Sequence, residues 1–156
     1  EDQWSPRINL GTAVLIPEEY VPDLQVRLGL YRRLSGVETQ ESIEAFAAEL
    51  IDRFGPLPDE VDHLLKIVFI KGLCRVANIE KLDAGPKGLV VHFRNSEFVN
   101  PAELLKWISS QSSLVKVRSD QSLFLSRDWD NADKRIKGTA IIASKLAAMA
   151  KTELEK

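Results

Sequence analysis

The chain has 156 residues and a formal net charge of −2, and 44% of its residues are hydrophobic and 28% charged. This composition is typical of one globular domain and excludes collagen-like and intrinsically disordered proteins, while the single cysteine excludes a disulfide scaffold. Because no apolar run approaches the ~18 residues of a membrane-spanning helix and no basic-then-apolar secretory signal opens the chain, the sequence predicts a soluble, cytoplasmic protein.

The first two predicted elements are an extended segment and a helix. Apolar side chains alternate with others over residues 8–16, which predicts a strand or extended arm that ends at Pro17. Pro22 then suits the first turn of a helix, and Gly36 suits its end. We expect this helix to be well buried through the apolar side chains and the tyrosine that recur along it, namely Leu24, Val26, Leu28, Leu30, Tyr31 and Leu34.

The clearest helical period follows. Thr39 is a suitable N-cap, and Gly55 marks the end of the helix. Pro58 then suits the start of another helix that runs to about Asn78, and the short turns between these helices predict that they pack as neighbours. The apolar residues of the first of them recur at i, i+3, i+4, i+7, i+8 and i+11, and are Ile43, Phe46, Ala47, Leu50, Ile51 and Phe54.

Local patterns in the second half predict two β-hairpins and two helices. In chain order they are a hairpin of residues 79–83 and 88–93, a short helix capped by Asn100, a hairpin of residues 114–118 and 122–125, and an alanine-rich helix from about Asp130 with Ile136, Ala140, Leu146 and Ala147 on one stripe.

The predicted fold class is therefore α+β, with a helical first half packed with small antiparallel β-hairpins and a C-terminal helix. We expect one domain over residues 8–151, a flexible lead-in over residues 1–7 and a frayed tail over residues 152–156.

The sequence gives little support for an enzyme or a cofactor. No glycine-rich run has the spacing of a phosphate-binding loop, and residues 85–88 are better interpreted as a hairpin turn. His63, His92 and Cys74 occur singly, without the paired spacing of metal ligands, and Cys74 lies in an apolar stretch that favours a buried thiol over a nucleophile. We expect no catalytic residue, metal or cofactor in this domain.

A basic region in the second half leaves a DNA-binding function open. Lys134, Arg135 and Lys137, with Arg127 before them, are candidates to contact phosphates, and Trp129 is near enough in sequence to stack on a base. Acidic residues at 128, 130 and 133 interrupt this region, so a solvated helical face explains the same pattern.

An acidic helix face is the other candidate site. Residues 1–62 hold 13 acidic and 5 basic side chains, which suits a basic protein partner better than nucleic acid. At ~100° per residue, Asp52 lies opposite the apolar stripe of its helix, and Glu49 lies within ~60° of it on a face shared with Glu41, Ala45 and Ala48. Carboxylates at i and i+3 form a fork suited to arginine, whereas the alternative is that Glu49 pairs with Arg53 at i+4 and the face meets water.

Three runs of residues resemble one known family. Residues 49–58 are similar to the signature of the C-terminal domain of bacterial transcription-repair coupling factor. Similar to the same domain are the upstream motif of residues 16–23 and 27–34 and, later, residues 98–101. The resemblance extends in order over about residues 8–150. Because the only methionine is Met149, we also expect the chain to be a piece of a longer protein.

The resemblance implies a regulatory domain of a larger protein. The full-length factor of this family is an ATP-driven translocase on double-stranded DNA that removes stalled RNA polymerase and recruits nucleotide excision repair. Its motor modules, with their ATP and magnesium, and most of its contacts with DNA and polymerase would lie outside this domain. The domain itself is implied to fold back on an N-terminal repair-helicase-like module and to exclude the damage-sensing ATPase, as an autoinhibitory clamp.

The resemblance also assigns the contact. The family's acidic pair falls on Glu49 and Asp52, which would accept arginines of the N-terminal module, with Glu41, Ala45 and Ala48 at the edge. An accessory DNA-binding domain that uses the basic second half remains the alternative function.

Overall fold

The computed structural model describes residues 4–154, without the side chains of residues 112, 153 and 154. Helices and a mixed sheet make up the chain, so the prediction of an α+β fold with a C-terminal helix is confirmed. The elements are β1 (Arg7–Asn9), α1 (Leu24–Leu34), α2 (Gln40–Phe54), α3 (Asp59–Ala77), β2 (Ile79–Gly85), β3 (Gly88–Phe93), α4 (Pro101–Gln111), β4 (Val115–Val117), β5 (Leu123–Ser126) and α5 (Ala132–Leu154), with short 3₁₀ turns at Arg94–Ser96 and Ser112–Leu114.

The chain divides into two compact units. The helical unit is Ala13–Gly72, and the sheet unit comprises the residues up to Thr12 and those from Leu73 onward. The predicted single domain over residues 8–151 stays a prediction. Of the predicted lead-in and tail, residues 1–3 and 155–156 lie outside the described residues, while α5 continues through Leu154.

Polar side chains set the starts of α1 and α2. The Asp23 carboxylate accepts the Val26 N–H at 3.0 Å, so Asp23 is the N-cap of α1 and Pro22 precedes the helix. At α2 the predicted cap is confirmed, because Thr39 Oγ1 accepts the Ser42 N–H at 3.0 Å and Ser42 Oγ accepts the Thr39 N–H at 3.3 Å. The N-termini of α1 and α2 are therefore both fixed by residues close in sequence.

One apolar cluster holds the helical unit together, and α2 supplies its centre through Phe46 and the fully buried Leu50. The Tyr20 hydroxyl lies against the end of α2, within 2.7 Å of the Gly55 carbonyl and 3.1 Å of the Leu50 carbonyl. The buried members of the cluster are Ile16, Val21, Leu30, Leu34, Ile43, Phe46, Leu50, Val61 and Leu65.

Three predictions about the first elements were wrong. The strand expected over residues 8–16 is only three residues long, because Gly11 adopts φ = +65° and its N–H bonds to the Asn9 side chain, which turns the chain out of the strand. The expected buried face of α1 is also displaced: Leu30 and Leu34 are buried, whereas Leu24, Leu28 and Tyr31 are exposed. Ile51 of α2, predicted to be in the core, is likewise exposed.

The sheet unit contains one five-stranded sheet in the order β1-β2-β3-β5-β4, in which only β1 and β2 are parallel. Both predicted hairpins are present, and the β3–β5 pairing joins them into a single sheet. Helix α5 packs against β2 and α4, and its predicted stripe is buried at Ile136, Leu146 and Ala147. Local patterns identified the hairpins, but the pairing between them depends on contacts that are distant in sequence.

Candidate functional site

The face of α2 opposite its buried stripe is open to solvent. Glu41, Ala45, Ala48 and Asp52 are all exposed, and Glu49 is half-buried at the border of the face. The structure therefore places all five predicted site residues on one side of a helix whose other side is anchored in the core. We refer to these five residues as the α2 face.

Glu49 is already bound within the domain. Arg33 of α1 donates two hydrogen bonds to its carboxylate, at 2.6 Å to Oε1 and 2.8 Å to Oε2, and Arg53 adds a third at 3.0 Å to Oε2. Each guanidinium also lies over an aromatic ring, with Arg33 5.1 Å from the centroid of Phe46 and Arg53 4.9 Å from that of Phe54. The ion cluster therefore joins α1 to α2 and is packed on the cluster of apolar side chains.

These contacts change the acidity of the carboxyl group. Hydrogen bonds from Arg33, and then from Arg53, lower the pKa of Glu49 from its ordinary value of 4.5 to about 2. The hydrogen bond with Glu49 likewise raises the pKa of Arg33. Glu49 is therefore ionised throughout the physiological range, and its charge is outweighed locally by the two guanidinium groups.

The depressed pKa predicts a pH-dependent contribution to stability. A carboxyl whose folded-state pKa is lowered stabilises the fold above its unfolded pKa and loses that contribution as pH falls towards the folded value, here between pH 4.5 and about 2. We expect the difference in unfolding free energy between wild type and Glu49→Gln to be largest above this window and to shrink across it. Urea unfolding of both proteins at several pH values measures this, and a difference that is constant with pH would show that the arginine contacts do not stabilise the ionised form.

Asp52 differs from Glu49 in having no ion-pair partner among the residues that the structure describes. It lies one turn further along α2 and is exposed. Ala45 and Ala48 beside it carry only methyl groups, so a partner's side chain or backbone has room to approach. Asp52 is therefore open to a new ligand, as is Glu41, the other exposed carboxylate of this face, and Asp52 is the one that lies a single turn from Glu49.

The two carboxylates of the predicted fork thus differ in role: Glu49 is bound to arginines of the domain itself, and Asp52 is open to solvent. The alternative expectation, that Glu49 pairs with Arg53 at i+4, is confirmed, although it did not include Arg33. Arg33 was not identified from the sequence as a partner of Glu49. Its place 16 residues before Glu49, on a helix joined to α2 by residues 35–39, is the signal that would have identified the pair.

Two of the basic residues at the start of α5, Lys134 and Arg135, make internal contacts. The Arg135 guanidinium donates to the Trp129 and Leu10 carbonyls, each at 3.2 Å, and Lys134 pairs with Asp130 at 3.2 Å. Trp129 is buried, so its ring is not available to stack on a base. This arrangement suits a structural role for the start of α5.

Two further features are absent from the part of the chain that the structure describes. Within residues 4–154, no cluster of three or more His, Cys, Asp or Glu side chains has the geometry to hold a metal ion. Among the helices described above, none combines the length and the apolar character that crossing a membrane requires.

Comparison with known proteins identifies the family. The family model of the TRCF domain matches residues 10–104. The transcription-repair-coupling factors of Rickettsia conorii and Escherichia coli are 43% and 32% identical over 124 and 129 residues, which are 79% and 83% of this chain. The chain spans only 11% of the length of each.

A solved structure supports the same assignment at the level of the fold. The crystal structure of a C-terminal domain of transcription-repair coupling factor superimposes with a TM-score of 0.79, covering 97% of this chain and 98% of that one at 18% identity. Together with the family match over residues 10–104, this shows that the chain belongs to the TRCF domain family of transcription-repair coupling factors.

Proposed function

We propose that this chain is a regulatory interaction domain that acts as the autoinhibitory clamp of a cytoplasmic transcription-repair coupling factor. The observation that carries the proposal is Asp52, an exposed carboxylate that forms no ion pair within residues 4–154 and is set beside two alanines on a helix that is anchored in the core. Family membership supplies the context, because residues 49–58, which contain Asp52, resemble the family's signature and lie within the match to the TRCF domain.

Asp52 has the chemistry to receive an arginine of the partner. A free carboxylate accepts two parallel N–H bonds from a guanidinium, and such a pair gains strength when an interface excludes water from it. Glu41, Ala45 and Ala48 would surround this contact. The partner that we propose is the N-terminal repair-helicase-like module of the same protein, which would present arginines to the α2 face.

Glu49 would take part by exchange. Three N–H bonds already occupy most of the acceptor capacity of its carboxylate, so a partner arginine must replace Arg33 or Arg53 rather than meet a free anion. Because one guanidinium replaces another, the exchange preserves the ion pair. Asp52 is therefore expected to contribute more to affinity than Glu49.

In the whole protein the clamp would compete with a second partner. While the C-terminal domain occupies the N-terminal module, that module would be unable to bind the excision-repair damage-sensing ATPase. An ATP-driven and magnesium-dependent motor outside this chain would move on DNA and act on stalled RNA polymerase. Opening is then a population shift, in which engagement of the motor must favour the open state by at least the free energy of the clamp contact.

The DNA-binding alternative is less well supported. It predicts binding that weakens steeply with salt and depends on Lys134, Arg135 and Lys137. Two of these side chains are engaged in internal contacts, and the adjacent tryptophan is buried. The geometry therefore favours the α2 face.

Calorimetric titration against the separately expressed N-terminal module tests the clamp. We expect wild type to bind, Asp52→Ala to lose about tenfold or more in affinity, and Glu49→Ala to lose less. Glu44→Gln is the matched control, because it removes one charge from the flank of α2 outside the α2 face and should bind as wild type does. Equal affinity of Asp52→Ala and Glu44→Gln would remove Asp52 from the interface. The absence of binding by wild type would contradict the clamp itself.

The exchange at Glu49 gives a second, opposite prediction. Arg33→Gln removes one of the two guanidinium groups that bind the Glu49 carboxylate and leaves that carboxylate open to a partner arginine. The variant should therefore bind the N-terminal module more tightly than wild type, by up to about fivefold. Arg32→Gln makes the same change in net charge on the same helix without touching Glu49, and separates the local effect from the loss of one positive charge. The same gain in both variants, or weaker binding by Arg33→Gln, would contradict the exchange.

A further inference from the structure

An apolar groove lies within the sheet unit, between α4, β4 and the segment that follows β3. Its volume is about 580 Å³. The apolar side chains that line it include Phe98, Leu104, Leu105, Ile108, Val117 and Leu123. The groove is distant in sequence from the α2 face, and its lining residues all belong to the sheet unit.

Large apolar side chains at this groove meet solvent. Leu105 is 62% exposed and Val117 is 56% exposed, and Val99 on the same lining is exposed as well. Scattered exposed leucines are ordinary on protein surfaces, but several that line one concave site form the kind of patch that marks a binding surface. The groove therefore presents a connected apolar surface without a cover in the described residues.

The groove is bordered by an edge strand that has an unused side. β4 is the last strand of the sheet and pairs only with β5. The Arg118 N–H donates to the Ser122 carbonyl at 2.8 Å, which fixes the alternation of the antiparallel ladder. It follows that Val115 and Val117 direct their N–H and C=O groups away from β5, towards the open edge, where an extended chain can bond to them.

The charge of the lining selects the partner. Glu97 is the only charged side chain among the residues that line the groove, and it forms no ion pair with the described residues. The nearby basic residues Lys116 and Arg118 alternate with Val117 onto the other face of β4, where the Arg118 guanidinium lies 5.4 Å from the centroid of Phe124. The groove is thus apolar with one negative group at its border, which complements a segment that carries a positive charge.

We propose that this groove binds an extended segment of a partner protein that carries apolar side chains at alternate positions and a lysine or arginine opposite Glu97. The segment would add to the edge of β4 through Val115 and Val117, and its apolar side chains would cover Leu105 and Val117. A second copy of this chain fits less well, since an isologous contact sets the groove against its own copy, whose lining offers no lysine or arginine to Glu97. The proposal does not depend on the clamp, because it concerns other residues and another partner segment.

Selection from a displayed library of short random peptides, with this domain as bait, tests the proposal. We expect enriched peptides that alternate apolar residues and contain a lysine or arginine. Their affinity should fall about tenfold or more in Leu105→Lys, because one buried apolar contact is lost and a positive charge is added. Ile141→Lys is the matched control: it makes the same kind of change at a 68% exposed position of α5 outside the groove, and should bind as wild type does.

Glu97→Gln examines the charge separately. The enriched peptides should bind this variant less tightly, and a selection against it should lose the preference for basic residues. The proposal is overturned if no peptide is enriched, if the enriched peptides are acidic, or if they bind Leu105→Lys as well as wild type. Dimerisation of wild type in sedimentation, abolished by Leu105→Lys, would assign the groove to a second copy and would also overturn it.

Discussion

Gly88→Ala is expected to destabilise the domain by roughly 2 to 5 kcal/mol, because both the backbone conformation and the space at this position exclude a side chain. Gly88 begins β3 with φ = +143°, a conformation that residues with a Cβ atom rarely adopt. A Cβ added there would also lie 2.0 Å from the Leu125 carbonyl oxygen of the paired strand. The strand or the turn must therefore move.

Hydrogen bonds from neighbouring segments restrict movement of the turn that contains Gly88. The Arg127 N–H bonds to the Lys87 carbonyl at 2.9 Å, and the Trp129 N–H bonds to the Pro86 carbonyl at 2.8 Å. The turn is therefore fixed by the segment that follows β5 as well as by the pairing of β2 with β3. Moving the turn away from Leu125 would strain these bonds and the β3–β5 ladder at once.

Gly85→Ala is the matched control at the other end of the same turn. No atom lies within 4 Å of a Cβ built at Gly85, and its φ is not positive. This change should alter stability by less than about 1 kcal/mol, with stabilisation the favoured sign because alanine restricts the unfolded chain. Urea unfolding followed by tryptophan fluorescence suits both variants, since Trp4, Trp107 and Trp129 all belong to the sheet unit. Equal stability of the two variants would show that the close approach at Gly88 is relieved without cost.

The glycine pair illustrates what a sequence does and does not reveal about this fold. The run of residues 85–88 predicted a hairpin turn, and the turn is present, because glycine and proline act through local backbone preferences. Which glycine is indispensable could not be predicted, because the clash at Gly88 involves Leu125, which lies 37 residues further along the chain. The same reason explains why two separate hairpins were expected and one sheet is found.

Burial was predicted well where one helix face dominates and poorly where it does not. The stripe of α2 was largely correct because its period is regular, although Ile51 lies at its border and is exposed. In α1, leucines occur on two faces, and periodicity alone does not identify the one that meets the core. The strand predicted over residues 8–16 failed because alternation was counted across Gly11, where the chain turns.

The candidate site, like the buried core, could be predicted only in part. The side of α2 that carries Asp52 followed from the helical period, and the structure exposes it. The state of Glu49 did not follow, because one of its two partners comes from another helix. Sequence reasoning thus located the face but not the internal ion cluster, which occupies the carboxylate of Glu49 and leaves those of Glu41 and Asp52 open.

Leu50→Ala is expected to destabilise the helical unit by about 2 to 5 kcal/mol, since truncation of a buried leucine loses apolar burial and leaves a cavity. Leu50 is fully buried at the centre of the apolar cluster, on the side of α2 that faces away from Asp52. Ile51→Ala is the control on the adjacent residue, which is 48% exposed, and it should cost less than about 1 kcal/mol. Urea unfolding followed by far-ultraviolet circular dichroism measures both changes, and a small effect at Leu50 would contradict the packing described here.

The same variant separates loss of the fold from loss of the α2 face. Leu50→Ala leaves Asp52 and Glu49 in place, so the folded fraction should bind the proposed N-terminal module as wild type does, with apparent affinity reduced only by the fraction that is unfolded. Cooling, or any condition that restores folding, should restore binding. Asp52→Ala should behave in the opposite way, with stability close to that of wild type and affinity that does not recover. Recovery of Asp52→Ala on cooling would place its effect in the fold rather than in the contact.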